Sequence, residues 1–154
     1  MGIEQRLREL SIELPDAPVP VASYVPVVIS GSYAFVSGQI ALSDGTPMWS
    51  GRVGAEVGLD DATNAARRCA LQILAALRSA LGDLDRVGRI VKVTVFVASA
   101  PGFTDQPKVA NGASDLLVEV FGEAGRHARA AVGVADLPLG APVEVELIVE
   151  LADR

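Results

Sequence analysis

The stretch Ile90-Val-Lys-Val-Thr-Val-Phe-Val97 alternates between apolar and mixed side chains. A β-strand turns successive side chains to opposite faces, so a period of two predicts a strand, here over residues 87–98. One face is entirely apolar and consists of Val91, Val93, Val95 and Val97, whereas the other carries Lys92, Thr94 and Phe96. Such a strand belongs to a sheet that helices cover on its apolar side.

Two later segments, residues 127–135 and 142–151, show the same alternation and predict two more strands. In the last segment a wholly apolar face lies opposite a mixed face that carries Glu144, Glu146, Ile148 and Glu150. In the earlier segment Arg129, Ala131 and Gly133 share one face. Two helices can cover only the apolar face, so we expect Arg129 and Glu144 to lie together on the face that the helices leave open.

A partly buried arginine needs an anion, because an unpaired buried charge is costly. The pattern leaves two anions open for Arg129. Glu144 could form an ion pair that only fixes a subunit interface, or the carboxylate of a ligand could bind there.

The clearest helical pattern covers residues 60–82. Its apolar residues form one stripe: Ala62, Ala65, Ala66, Cys69, Ala70, Ile73, Leu74, Leu77 and Leu81. Asp60 or Asp61 can cap its start, and Gly82 can end it. Because Cys69 lies inside the stripe, we predict a packed, unreactive core thiol.

The other segments are shorter. Residues 105–121 predict a second helix, although Gly112 weakens its middle. Residues 24–40 are typical of a hairpin with a turn at Ser30-Gly31-Ser32, and residues 42–57 of a loop.

At the N-terminus, residues 3–13 predict a short amphipathic helix. An extended connection follows, imposed by Pro15, Pro18 and Pro20. Residues 1–154 then form a single α+β domain, with residues 1–20 as an N-terminal helical extension and linker.

The composition points to a soluble protein with an interface. Hydrophobic residues make up 50% of the 154 residues and charged residues 21%, which excludes a disordered chain. No apolar run approaches the roughly 18 residues of a membrane helix, and the first ten residues lack the pattern of a signal peptide, so we expect a cytoplasmic protein. The apolar fraction and a mixed sheet face with Phe96 and Ile148 predict that a partner subunit covers that face.

The charge and the scarcity of ligating side chains exclude several functions. A net charge of −6 argues against nucleic-acid binding. One cysteine, Cys69, and one histidine, His127, leave no disulfide and no Cys-rich or His-cluster metal site. The sequence has no phosphate-binding or dinucleotide-binding loop, so we expect no cofactor.

Four motifs in order resemble the Rid family, the reactive intermediate deaminases also called YjgF-like proteins. The motifs are Ser37-Gly-Gln-Ile40, Ile90–Val97, Ala128-Arg129 with Leu137-Pro138, and Val143-Glu-Val-Glu146. The resemblance covers roughly residues 20–151. It implies a chorismate-mutase-like mixed sheet with two helices on one face, assembled as a homotrimer with clefts between subunits.

The resemblance also implies roles for five residues. Arg129 would grip a substrate carboxylate and Glu144 would place the attacking water, whereas Tyr24, Ser37 and Asn111 would contact the substrate. From the residues alone, Tyr24 could equally be a packed aromatic, Ser37 a strand-end hydroxyl and Asn111 a helix-surface amide.

The chain departs from the family pattern in two places. The family often has Pro-Ala-Arg-Ser-Cys where this chain has His127-Ala-Arg-Ala-Ala131, so no thiol-dependent step can occur, and we expect His127 to be structural or on the surface. The N-terminal helix and the 42–57 loop, with Trp49 and Arg52, suggest a subgroup with a different substrate.

The expected activity is hydrolytic deamination of enamine or imine intermediates of 2-keto acids, in the manner of a 2-iminobutanoate/2-iminopropanoate deaminase. A non-catalytic trimer that binds a carboxylate or another metabolite is the alternative. A ribonuclease or translation inhibitor, an old label for relatives, fits the acidic charge less well.

Overall fold

The computed structural model describes residues 2–19 and 22–153. Its three helices are α1 (Ile3–Glu9), α2 (Leu59–Leu81) and α3 (Gln106–Phe121). Its strands are β1 (Val27–Ser30), β2 (Tyr33–Ile40), β3 (Leu42–Ser43), β4 (Thr46–Pro47), β5 (Val87–Ala98), β6 (Ala128–Val134) and β7 (Val143–Leu151). Pro20, one of the three prolines that predict the extended connection, lies outside the described residues.

Five strands form a mixed sheet in the order β1-β2-β7-β5-β6. Strands β1, β2, β7 and β5 pair antiparallel, whereas β6 pairs parallel with β5 at the sheet edge. Both α2 and α3 pack on one face, where their apolar stripes meet the buried valines of β5 and β7. The predicted α+β architecture, a mixed sheet with two helices on one face, is therefore confirmed.

The core thiol is confirmed as well. Cys69 is fully buried in α2, and its Sγ lies 3.8 Å from the carbonyl oxygen of Val143. Burial raises the pKa of this thiol far above its usual range, because the thiolate would lose its hydration. Cys69 is therefore a packing residue.

Most predicted boundaries lie within a residue or two of the observed ones, but three details differ. Helix α1 ends at Glu9, earlier than the predicted end at residue 13, and Ser11 adopts a positive φ of 55°. Gly58, not an aspartate, is the N-cap of α2, and no side chain caps this end. The 42–57 loop contains the two-residue strands β3 and β4, joined by a turn at Asp44-Gly45.

Helix α1 is fastened to the rest of the molecule at its first residue and at its middle. The backbone nitrogen of Ile3 donates to Asp85 at 2.6 Å, and Arg6 Nε donates to the carbonyl oxygen of Glu119, on α3, at 3.0 Å. Leu7, in the same helix, is buried in the hydrophobic core. In the long loop, Arg52 forms an ion pair with Asp136 that ties the loop to the segment after β6.

The second face of the sheet is open in the single chain. Its exposed large side chains are Val28, Tyr33, Phe35 and Val132, and Phe96 and Ile148 are partly exposed among them. An apolar patch of this kind on a monomer is typical of an interaction surface. The observation agrees with the predicted cover by a partner, which itself stays a prediction.

Gly112 has a packing role that its low helix propensity hides. A Cβ at this position would collide with the backbone carbonyl group of Thr63, so α2 and α3 approach each other here more closely than any side chain permits. The glycine is therefore the residue that lets α3 lie against α2.

We predict that Gly112→Ala lowers the free energy of unfolding by about 1–3 kcal/mol, because the obstacle is backbone and the helices must separate. Urea unfolding at a fixed subunit concentration measures this. Asp115→Ala, on the exposed side of the same helix, is the matched control and should change stability by about 0.5 kcal/mol or less. Equal stability of Gly112→Ala and the wild type would contradict the close crossing.

Candidate functional site

Arg129 lies at the edge of the sheet, in a group of polar side chains that we name the arginine cluster: Arg129, Asn111, Ser114 and His127. Its Nη1 donates to Asn111 Oδ1 at 2.8 Å and to Ser114 Oγ at 3.1 Å. Asn111 and Ser114 are three residues apart on α3, so they present their side chains on the same side of the helix. The helix therefore holds one nitrogen of the guanidinium with two acceptors.

The rest of the guanidinium of Arg129 is free. Within residues 2–19 and 22–153, Nε and Nη2 make no hydrogen bond, and no carboxylate forms an ion pair with them. These two nitrogens form the side-on edge that binds a carboxylate through two parallel hydrogen bonds. Arg129 thus offers an anchored and partly buried fork whose geometry suits a carboxylate.

The prediction that Arg129 lies on the open face of the sheet is wrong. In the parallel pairing of β6 with β5, Arg129 lies beside Val93, which is fully buried on the helix side of the sheet. Neighbouring partners in a ladder point to the same face, so Arg129 points towards α3 and not to the open face. The prediction assumed that the helices cover the more apolar face of β6. Because β6 is an edge strand, this assumption fails, and the apolar residue Val132 is exposed.

Glu144 does lie on the open face, as predicted. It pairs with Phe96 of β5 on one side and Ile40 of β2 on the other. A β-bulge between Val36 and Gln39 turns Gly38 towards it, and a Cβ at Gly38 would lie 2.9 Å from Cδ and Oε1 of Glu144. Because Gly38 has no side chain, the carboxyl group of Glu144 can lie directly against β2.

The environment of Glu144 favours its protonated form. Partial burial raises the pKa of this carboxyl group, and the negative charge of Glu146 raises it further. A carboxyl group with a raised pKa is a stronger base than an ordinary glutamate and is better suited to accept and return a proton.

Ser37 directly precedes Gly38 on β2 and holds the segment that follows Tyr24. Ser37 Oγ donates to the carbonyl oxygen of Val25 at 2.7 Å, and its backbone nitrogen donates to that of Pro26 at 2.8 Å. The Ser37 hydroxyl therefore binds the segment that carries Tyr24 to β2. This is the structural role, a strand-end hydroxyl, that the residues alone left open for Ser37. Tyr24 itself is exposed. We name Glu144, Gly38, Ser37 and Tyr24 the carboxylate cluster.

One chain does not bring the two clusters together. Glu144 pairs with Phe96, which pairs with Val132, and Val132 lies three residues beyond Arg129 on β6. The two side chains are thus two strands and three residues apart and on opposite faces of the sheet. The two side chains therefore form no ion pair within the described chain, and an ion pair between subunits stays a prediction.

The sequence analysis missed Ser114 and gave His127 no partner. His127 Nε2 lies 2.9 Å from Ser114 Oγ, and its Nδ1 lies 2.6 Å from the carbonyl oxygen of Gly125. The spacing of Asn111 and Ser114 on a helix that leads into β6 was the available signal. Among the described residues no group of three His, Cys, Asp or Glu side chains could hold a metal ion, and no helix is long and apolar enough to cross a membrane.

The chain is similar to known proteins over nearly its whole length. Protein TCP17 of Trypanosoma cruzi is 52% identical over 150 residues, which span 97% of this chain and 94% of that protein. A 2-iminobutanoate/2-iminopropanoate deaminase of Dermatophagoides farinae is 32% identical over 139 residues, 90% of this chain and 93% of that protein. The crystal structure of Atu1372, a protein of unknown function from Agrobacterium tumefaciens, superposes with a TM-score of 0.90 at 49% identity and covers 97% of this chain and 92% of that one.

The family described as "YjgF/chorismate mutase-like, putative endoribonuclease" matches residues 4–151. The match takes in α1, so the view of residues 1–20 as an addition to the family stays a prediction. Because the matched region includes both polar clusters and every strand of the sheet, the chain belongs to the Rid/YjgF family.

Proposed function

We propose that the protein hydrolyses reactive imine or enamine intermediates of 2-keto acids to the keto acid and ammonia. The observation that carries this proposal is the free Nε–Nη2 edge of Arg129, held in place through Nη1. A 2-imino acid has a carboxylate directly beside its C=N carbon. A fork that grips the carboxylate therefore also orients the carbon that water must attack. The similarity to an imine deaminase supports the same substrate class.

The chemistry needs one acid–base group besides the arginine. An enamine first takes a proton at carbon, loses one from nitrogen and becomes the imine. Water then adds to the imine carbon, and one of its protons passes to the nitrogen. The new hydroxyl group gives its remaining proton to the nitrogen as the C=O bond of the keto acid forms and ammonia leaves. Glu144, with its raised pKa, would accept the proton of the water and return it to the leaving nitrogen.

We further propose that the site is shared between subunits of a homotrimer. The arginine cluster and the carboxylate cluster do not meet within one chain, but a ring of identical subunits brings different surfaces of two neighbours into contact. The open sheet face, with its exposed aromatic and aliphatic side chains, supplies apolar area for such a contact. Each cleft would then contain Arg129 of one subunit and Glu144 of the next.

A non-catalytic trimer that binds carboxylates would use the same fork of Arg129 without Glu144. The placement of Gly38, which makes room for the Glu144 carboxyl group, favours the enzyme. The family description includes endoribonuclease activity. The net charge of −6 favours a small carboxylate over the RNA backbone as ligand.

The direct test generates 2-imino acids with an amino-acid oxidase and follows their decay. We expect the wild type to accelerate hydrolysis. Glu144→Gln should lose about 10²–10⁴-fold in turnover, the usual contribution of a general acid or base. Arg129→Lys should bind substrate poorly, because an ammonium group cannot reproduce the planar fork. Cys69→Ala, in the core, is the control and should react at the wild-type rate.

Two results of this assay would contradict the proposal. If the wild type binds 2-oxobutanoate or benzoate through Arg129 but hydrolyses no imine, the binding protein is the correct function. If Glu144→Gln and the wild type react at the same rate, Glu144 is not the proton carrier.

Subunit mixing tests the shared site. Chains with Arg129→Ala and chains with Glu144→Gln, coexpressed with different affinity tags, are isolated as mixed trimers. In a ring that contains both kinds of chain, about a third of the clefts combine two intact clusters, so activity should return although both parent trimers are inactive. Mixed trimers as inactive as their parents, or a wild type that sediments as a monomer at micromolar concentration, would exclude a shared cleft.

The raised pKa of Glu144 predicts the pH dependence. The carboxylate is the active base, so kcat/KM should fall as pH decreases through its pKa, and this acid limb should lie above the ordinary glutamate value of about 4.3. Glu146→Gln removes the neighbouring negative charge and should move the limb to lower pH. Rates are corrected for uncatalysed hydrolysis. An acid limb that persists in Glu144→Gln would assign it to another group.

A further inference from the structure

We propose that Ser114 and His127 are positioning residues that fix the orientation of the Arg129 guanidinium. The inference rests on the proposed function, because it concerns the side chain that would hold the substrate carboxylate. It goes further in assigning the work of orientation to a chain of hydrogen bonds that runs from the backbone at Gly125 through His127 and Ser114 to Arg129.

The directions of these hydrogen bonds follow from the partners. The carbonyl oxygen of Gly125 can only accept, so Nδ1 of His127, at 2.6 Å, carries the proton. In the neutral ring Nε2 is then an acceptor, and the Ser114 hydroxyl, at 2.9 Å, donates to it. The lone pairs of Ser114 Oγ therefore remain for the Nη1 proton of Arg129, at 3.1 Å. Each hydrogen bond from Arg129 through Ser114 and His127 to Gly125 thus joins one donor to one acceptor.

The far end of the chain is anchored in packed backbone. Gly125 is buried, and a Cβ there would collide with the carbonyl group of Leu117 on α3. The carbonyl oxygen that holds His127 thus belongs to a turn that lies directly against the helix that carries Ser114. Both the imidazole ring and the serine hydroxyl are fixed relative to one rigid element.

Two acceptors on one nitrogen set the plane of the guanidinium. A single bond from Nη1 to Asn111 would leave the arginine free to rotate about that contact. The second bond, to Ser114, removes this freedom and directs the Nε–Nη2 edge away from α3. A free arginine side chain loses much rotamer entropy when it binds, so an edge held in advance binds a carboxylate at a lower entropic cost.

The histidine offers a matched pair of variants. A glutamine amide reaches the position of Nε2 and can accept from Ser114, whereas an asparagine amide reaches only the position of Nδ1 and can donate to Gly125. His127→Gln therefore keeps the bond that orients Ser114, and His127→Asn removes it. Ser114→Ala removes the bond to Arg129 directly.

We expect Ser114→Ala and His127→Asn each to raise KM for the imine, and Kd for 2-oxobutanoate, by about tenfold, with kcat changed less. His127→Gln should stay within about twofold of the wild type. The double variant Ser114→Ala/His127→Asn should have the same KM and Kd as Ser114→Ala alone, since both changes interrupt the same series of hydrogen bonds. A network that only stabilises the fold would lower the free energy of unfolding in these variants and leave KM and Kd unchanged.

A spectroscopic readout separates this inference from the proposed function. Rotation about the Nε–Cζ bond exchanges the two Nη nitrogens of Arg129, so their signals in ¹⁵N-labelled protein, identified by their loss in Arg129→Lys, report its rate. Rotation should be slow in the wild type and His127→Gln, and faster in Ser114→Ala and His127→Asn. If rotation is equal in all four proteins, the positioning role is wrong even when imines are hydrolysed. If rotation differs as expected but the wild type neither binds carboxylates nor hydrolyses imines, only the proposed function fails.

Discussion

The parallel register between β5 and β6 is the constraint on which the candidate site depends. Arg129 lies beside Val93, and this pairing turns its side chain to the helix-covered face. A shift of the register by one residue would turn every side chain of β6 to the other face and would separate Arg129 from Asn111 and Ser114. The position of the arginine is thus fixed by backbone pairing first and by its own hydrogen bonds second.

The same constraint shows what could be predicted from the sequence. The alternation in residues 87–98 gave strand β5 with its observed bounds, and the stripe in residues 60–82 gave α2 within one residue, because both patterns report burial in the core of a single chain. The face of Arg129 was predicted wrongly, because at a sheet edge the apolar content of a face no longer reports which side the helices cover. Val132, an apolar residue on that edge, is exposed.

The polar contacts of the site were harder to predict for a different reason. Asn111, Ser114, His127 and Arg129 are separated by up to 18 residues in the sequence, and only the crossover from α3 to β6 brings them together. Ser114 is a small polar residue on a helix, and apart from its spacing from Asn111 nothing in the sequence distinguishes it from a solvent-exposed serine. The bulge between Val36 and Gln39 cannot be predicted from the sequence either. It lies at Ser37-Gly38, but a glycine in a strand does not by itself indicate a bulge. Close backbone approaches explain both Gly38 and Gly112, but only three-dimensional structure tells which atoms approach.

The charged groups of the two polar clusters lie in different electrostatic environments in the isolated chain. Arg129 binds α3 through one nitrogen, and its carboxylate-binding edge makes no hydrogen bond to the part of the chain that the structure describes. Glu144 is partly buried beside Glu146, and its pKa is raised. Each is therefore less stable in the single chain than it would be opposite a charge of the other sign. Departures from an otherwise consistent pattern of apolar packing are typical of functional sites. In the proposed trimer an anionic substrate would meet the free edge of Arg129 of one subunit, and the Glu144 of its neighbour would face the substrate nitrogen as it gains positive charge. Because strand pairing turns Arg129 and Glu144 to opposite faces of the sheet in one chain, only a contact between subunits could bring both side chains to one substrate.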